Sequence, residues 1–557
     1  MLWLMNLVVA ICLLFIAVWL QRRTAGLPVM EQLLAGLLPA TLMICFGVAL
    51  DRAGTNLDFN WSPVRLAPAF AIRYGETVYP GLNEGPVGGH IYGPRAALVY
   101  LPATIGDSPS AALRLGGLIA STIFFLPMLV YLTMAAGGSK RGFIWVGWGW
   151  VLFFLLVLRS DALSYNAFLI HAEAPALGFA VAACAVLVAR VNGASWQLPL
   201  AAVLAIVAVF SKQTLVPLMV ALPLYLWWRD GLTVALRFCG WLVGALLVTG
   251  ILFASWFGVE NLWLNQIVIP SKHPWLRSLR DTMQPWIYDH DRGAQLAVLL
   301  EAAQGLLHRC VKALVIMVVL VVWKIWAGRG NACGWVSRIK SGMRQPWGLT
   351  LWVALWLIPT SLLGRVKAGG DNNAYGPATC FACLSAACWL ILAGRDWYAR
   401  RGAYDCRRLK RFISPVLVGA QLLAAWLVVT SVMNYQARGN GAMDWAVSYA
   451  REHPGQVYFP WNPLLTLMAE HRAYHFAYGV YDRELAGMPV TPEHFRAGLP
   501  ADVTEVLYST QDERRLLGAY LTNFTDEVQL PELPGWVILR RAGEDVKSSQ
   551  PAIRPMP

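Results

Sequence analysis

The sequence predicts a mainly α-helical membrane protein: a bundle of about twelve transmembrane helices with helical loops on one side, then a small C-terminal α/β domain. Three observations predict it. The 557 residues are 57% hydrophobic and only 14% charged, whereas soluble domains carry about a quarter charged residues. Apolar runs long enough for a hydrocarbon core roughly 30 Å thick recur as far as Asn434. Beyond Asn434 the composition turns polar for roughly 120 residues, enough for a small domain.

The apolar runs are Leu2–Leu20, Leu33–Leu50, Ala111–Met134, Phe143–Leu158, Ala174–Ala189, Leu198–Phe210, Leu215–Trp228 and Val234–Phe257, then Val311–Trp323, Leu349–Leu363, Tyr375–Leu392 and Pro415–Val432. Some are short enough to need tilting or neighbours. The first lacks a basic start and a small-residue cleavage site, which reads as a retained span. Counting spans puts Arg22/Arg23, Lys140/Arg141, Arg190, Arg229, Lys324–Arg344 and Arg395–Phe412 on one side. That Lys/Arg excess marks the cytoplasmic side, so the net charge of +13 is a topology signal and not a nucleic-acid footprint. The other, exported side receives 51–110, 159–173, the turn 211–214, 258–293, 364–374 and everything after Asn434. The expected architecture is a polytopic unit, 1–434, and a periplasmic domain, 435–557, in a bacterial inner membrane.

Within the exported segments, Pro68–Tyr74 and Trp275–Ile287 mix apolar, aromatic and basic residues. They read as interfacial helices with Trp263, Trp275 and Trp286 at headgroup level. After Asn434, "GQVYFPW", "EVLYST" and "GWVILRR" read as strands and Ala442–His453 as a helix. The ten cysteines avoid the long polar segments and show no metal-ligand spacing with histidine, so they read as small buried hydrophobes.

The first exported loop supplies Asp51, Asp58, Glu76 and Glu84, interspersed with Arg65, Arg73, His90 and Arg95. A carboxylate between apolar walls at a membrane surface can have its pKa raised toward that of a useful base; the plainer reading is a wet loop. The turns of "YPGLNEGPVGGHIYGP" give this loop a defined shape. In "VFSKQTLV", Lys212 and Gln213 interrupt apolar runs, either snorkelling or holding a lipid phosphate. In "GRVKAGGDNNAYGP", Lys367, Asn372 and Asn373 with Asp371 and Arg365 suit a phosphate or sugar; Gly, Asp and Asn also suit a plain hairpin. "SYNAFLIHAEAPAL" places His171 and Glu173 just before a span, where an acid also suits a helix N-terminus. No Walker loop, dinucleotide fingerprint or H-E-x-x-H is present.

In order and sidedness these features resemble the GT-C superfamily of polytopic glycosyltransferases, nearest its bacterial protein-mannosyltransferase-like and aminoarabinose-transferase-like branches. The features in common are Leu57-Asp58-Phe59 after a span, the "RYGETVYP" of Arg73–Pro80, Tyr92-Gly93-Pro94, "SKQT" and "KAGGDNN" of Lys367–Asn373. The chain departs in an extra N-terminal span and in lacking the Asp-Glu pair some relatives carry. The resemblance implies an inverting transfer of a sugar from a polyprenyl-phosphate donor to a hydroxyl of a glycan, lipid or protein, on the outer face of the bilayer. It implies Asp58 as the base, with Asp51 as the alternative, and Lys212, Arg65 or Lys367 as the cation for the leaving phosphate. Gln213, Asn372, Asn373, Tyr92, His90, Glu84 and Glu173 complete the expected substrate-binding set. No cofactor or metal is expected, although the oligosaccharide-transferring branch uses a metal. A flippase, or a polymerase or ligase using Ile269–Arg292, is the competing expectation.

Overall fold

The computed structural model describes residues 29–136, 142–189, 196–279, 292–327, 344–400, 407–509, 514–529 and 535–541. Each expected apolar run after the first, which lies outside these residues, falls largely on a helix. The long helices are α1 (Val29–Gly54), α2 (Trp61–Tyr74), α3 (Pro109–Ala135), α4 (Gly142–Leu158), α5 (Asp161–Phe168), α6 (Glu173–Val188), α7 (Gln197–Val209), α8 (Leu218–Asp230), α9 (Leu232–Phe257), α10 (Arg292–Ala327), α11 (Pro346–Val366), α12 (Gly376–Arg400) and α13 (Arg407–Ala437). Among the described residues seven helices are long and apolar enough to cross a membrane, or eight if α4 and α5, bent by 105°, form one span. This is fewer than the expected twelve, partly because α6 and α7 have only 16 and 13 residues. Both are largely buried between neighbouring helices.

The outer helices show what solvent the bundle is built for. On α9, Leu236, Trp241, Leu247, Ile251 and Trp256 are each 50–67% exposed. A row of large apolar side chains in contact with water would aggregate, so this face belongs against lipid and the chain is a multi-pass membrane protein. Helix α10 is longer than its apolar run because Glu301, Gln304, His308, Arg309 and Lys312 stay helical. Arg309 pairs with Asp161 at 2.7 Å and Lys312 donates to the Arg159 carbonyl at 3.0 Å.

Helix α2 corrects one expectation. The stretch Pro68–Tyr74 does not lie free on a surface, because α2 is covered by α3 on the bundle side and by a C-terminal helix on the other, burying Leu66, Ala69 and Phe70 completely. Trp275 is not helical either. It forms a bridge to Lys367, flanked by Leu276 N–H to the Val366 carbonyl (2.8 Å) and Ala368 N–H to the Pro274 carbonyl (2.9 Å). Trp263 is 61% exposed, as an interfacial ring would be, whereas Trp286 lies outside the described residues.

After α13 come α14 (Gly441–Glu452), α15 (Pro463–Glu470), α16 (Ala477–Leu485) and α17 (Pro492–Ala497), with strands β1 (Val457–Tyr458), β2 (Glu505–Ser509), β3 (Phe524–Gln529) and β4 (Trp536–Arg541). The sheet order is β1-β2-β4-β3; β1 runs parallel to β2, and the other pairs are antiparallel. The three expected strands and the expected helix are all present. The polar β3, "FTDEVQ", has no expected counterpart: it is an edge strand exposed along most of its length, so it lacks the alternation that marks a half-buried strand.

Candidate functional site

One end of the bundle carries a cavity of about 570 Å³. Its walls come from the start of α2, the loop 88–100, the α5–α6 turn, residues 273–279, residues 365–373 and helix α16. Thus the exported loops inferred from charge, and the segment after Asn434, converge on one hollow. The first loop and α16 meet through glycine: Gly89 has φ of 64°, and a Cβ there would lie 2.9 Å from Gly479 Cα. No larger residue permits that approach.

Arg65 projects from α2 into the cavity. Its guanidinium lies 5.8, 5.4 and 5.1 Å from the ring centres of Phe59, Trp61 and Tyr165, and its buried Nη1 makes no hydrogen bond. Aromatic faces favour the cation without using its donors, so one donor is left for an anion. Buried polar atoms without partners recur around this hollow: Arg365 Nε, His90 Nε2, His273 Nε2 and Asp482 Oδ1. Native structures rarely leave such groups unsatisfied, since each costs about 1–3 kcal/mol. Burial holds the His90 imidazole down at about 4, and holds the Asp482 carboxyl well above its usual range. Tyr92 is pushed up to about 12, mainly by burial; Arg65 pulls it down and Asp482 pushes it up, so its hydroxyl feels both groups.

Behind the cavity lies a closed polar knot. Glu173, fully buried at the start of α6, accepts hydrogen bonds from Lys212 Nζ and from Asn373 Nδ2 (2.7 Å), and abuts His171 Nδ1. Tyr92 Oη sits 3.3 Å from His171 Nε2.

No protein-family model matches the chain, and no curated protein matches it. Among solved structures it is similar to ArnT from Cupriavidus metallidurans in the apo state, with TM-score 0.42 and 12% identity over 89% of this chain and 97% of that one. It is similar to the oligosaccharyltransferase AglB from Archaeoglobus fulgidus, in complex with an inhibitory peptide and a dolichol-phosphate, with TM-score 0.37 and 11% identity over 91% of this chain and 74% of that one. The apo form of an oligosaccharyltransferase from the same organism gives TM-score 0.37 and 12% identity over 89% and 73%.

Of the residues singled out from sequence, Arg65, His90, Tyr92, His171, Arg365, Asp371 and Asn373 line the cavity. Asp58 does not. Its carboxylate is 60% exposed and pairs at 2.6 Å with Arg438, which also stands 3.9 Å from Asp51. The cause is local: Asp58 ends the 3-10 turn Thr55–Leu57, and the chain enters α2 only afterwards, so the cavity receives Phe59, Asn60 and Trp61 instead. Lys212 is committed to Glu173 and is not an open cation. Lys367 donates to the carbonyls of Pro270 (3.2 Å) and Ser271 (2.8 Å), and Gln213 to those of Ile91 (2.7 Å) and Gln266 (3.1 Å). These residues fasten loops together. Asn372 gives its N–H to Asp371, and Glu84 is exposed away from the hollow. Sequence reading missed His273, Tyr478 and Asp482. Asp482 in "YGVYDREL" looks like any helix-surface acid, and only its burial sets it apart.

Among the described residues no group of three or more His, Cys, Asp or Glu side chains is arranged to hold a metal ion. The described cysteines are free, five of them buried, as expected.

Proposed function

We propose that this chain is a membrane glycosyltransferase of the GT-C kind. It takes a sugar from a polyprenyl-phosphate donor and joins it, with inversion, to a hydroxyl of a glycan, lipid or protein acceptor on the outer face of a bacterial inner membrane. The observation that carries this reading is Arg65, an aromatic-caged guanidinium with a buried open donor, in a cavity that also holds Asp371 and Asp482. An open guanidinium suits a phosphate oxygen, and a fixed cation at the leaving oxygen lowers the barrier as charge develops there. The rings of Trp61, Tyr92 and Tyr478 offer apolar faces for a sugar, while acids in the same hollow can take a hydroxyl proton. The lipid-facing bundle below supplies the reason for a lipid-anchored donor: the tail stays in the bilayer while the phosphate rises to Arg65. In this reading Lys212 and Lys367 orient the loops and Arg65, assisted by Arg365, meets the phosphate.

The test is release of polyprenyl phosphate from a panel of single-sugar polyprenyl phosphates by the purified chain in bilayer nanodiscs, with membranes as acceptor source. Arg65→Ala is expected to slow release by about 10²–10³-fold. An Arg65→Ala variant as fast as the unmodified protein overturns the phosphate role, and no release from any donor overturns the activity.

A further inference from the structure

Asp482 and His273 face each other in the cavity wall. His273 Nε2 stands 3.6 Å from Asp482 Oδ1. Neither atom makes a hydrogen bond, and the two side chains are only 5% and 6% exposed. They arrive from different parts of the chain: Asp482 from α16, His273 from the segment that bridges to Lys367. Helix α16 does not hold Asp482 there for lack of an alternative. The next residue, Arg483, is spent on the carbonyls of Leu82, Gly81 (2.9 Å) and Pro80 (3.2 Å), so it offers the acid no compensation and locks the helix in place. An acid buried without a cation is costly to keep, and such groups concentrate where chemistry is done.

We propose that Asp482, positioned by His273, is the general base of the transfer, supplied by the C-terminal segment and not by the first loop. The inference rests on the glycosyl-transfer reading. The acceptor O–H gives its proton to Asp482 Oδ1 as the oxygen forms a bond to the anomeric carbon; the bond from that carbon to the phosphate oxygen breaks, and polyprenyl phosphate leaves with the electron pair. His273 Nε2 lies where it can fix the carboxyl and share the proton. Asp371, also in the cavity, is less suited, because it is exposed and its Oδ1 already accepts the Asn372 N–H at 2.6 Å.

The groups facing Asp482 are His273 with Lys367 behind it, Tyr92 with Arg65 behind it, and Tyr478 one turn earlier on α16. Burial raises the carboxyl well above its usual value of 3.8. A base must be ionised, so transfer rises with pH through a limb displaced above the ordinary carboxylate range.

The experiment compares Asp482→Asn, Asp482→Glu, His273→Gln and Asp371→Asn in the full-length protein, with two readouts: retention of undecaprenyl phosphate and release from the donor panel across pH. Asp482→Asn is expected to retain undecaprenyl phosphate, lose about 10²–10⁴-fold in release and lose the pH limb. Asp482→Glu regains part of the rate, His273→Gln moves the limb without altering retention, and Asp371→Asn, whatever it costs in rate, keeps the pH limb. Release by Asp482→Asn at the unmodified rate, or a limb unmoved by His273→Gln, overturns the assignment, as does loss of release confined to Asp371→Asn. Those results leave the glycosyl-transfer reading standing; that reading fails only if the unmodified protein releases nothing.

Discussion

Glu173 is joined to Lys212 and Asn373, and removing any one of the three leaves another buried without its partner. Breaking a buried ion pair from one side costs about 3–5 kcal/mol, because a charge remains in a low-dielectric site. Glu173→Gln is therefore expected to lower the midpoint of thermal unfolding sharply in nanodiscs, and adding Lys212→Met to recover much of the loss. Asp58→Asn is the contrast: its pair with Arg438 is exposed and worth about 0.2–1 kcal/mol, so neither stability nor sugar transfer should change appreciably. A large loss of transfer in Asp58→Asn with folding intact would return the base to the first loop. The difference between these acids is what sequence could not supply. Lys212 was legible as a polar group in a costly position, Glu173 as an acid at the start of a span and Asn373 as a polar loop residue, but Glu173 and Asn373 are 200 residues apart, and their meeting depends on helix packing. Arg65 was legible as one candidate cation for the leaving phosphate; its unspent nitrogen was not.

The loop 80–92 shows the same dependence among elements. Its Gly and Pro residues announced a shaped turn, yet its shape is held by α16 and α17. His475 Nδ1 accepts the Val87 N–H at 3.0 Å, His494 Nε2 meets the Gly85 carbonyl at 2.8 Å, and Phe476 N–H donates to the Val87 carbonyl at 2.9 Å. Accepting from an N–H requires His475 Nδ1 to be unprotonated, and burial holds this imidazole at about 4 against an ordinary 6.5. The folded value is depressed, so the stabilisation is complete above about 6.5 and is lost as pH falls toward 4, where His475 takes up a proton and releases Val87. Limited proteolysis within 80–90 should accelerate as the pH falls through that window, and His475→Gln should flatten the dependence. A cleavage rate independent of pH in the unmodified protein would separate the loop from the clamp. Elements with apolar periodicity were read correctly because burial or lipid contact dictates their pattern. The polar end of α10 and the edge strand β3 escaped because neither contact applies to them.

At the scale of the molecule, the change of composition at Asn434 is only in part a change of core: Tyr458, Trp461, Phe476, Val480, Phe495 and Tyr508 form a second buried cluster that Val64 and Val87 join, while the first core also crosses the boundary. Met443 and Ala446 on α14, Leu464, Leu465, Leu467 and Met468 on α15, Leu507 on β2 and Ile538 on β4 belong to the same buried cluster as Leu66 and Phe70 of α2 and Leu113 of α3. Polar contacts cross the same seam: Ser110 Oγ donates to Asp444 Oδ2 at 2.6 Å, and Asn440 Nδ2 to the Leu57 carbonyl at 2.7 Å. Each buried Leu or Met contributes about 1.5–3 kcal/mol, so uncovering even a few of them removes an amount comparable with the roughly 5–15 kcal/mol that holds a domain folded. Residues 435–557 expressed alone are therefore expected to lack a cooperative thermal transition and to bind a hydrophobic dye, unlike the same segment within the whole chain. A sharp, dye-free transition in the isolated segment would show that its own sheet suffices and that α2 merely rests against it. If the shared core holds, delivery of Asp482 to the cavity is coupled to the integrity of the bundle. A substitution such as Leu467→Ala, in the shared core and not among the cavity-lining residues, should then cost about 2–5 kcal/mol in stability. It should also weaken sugar transfer at temperatures where α15 and α16 begin to detach.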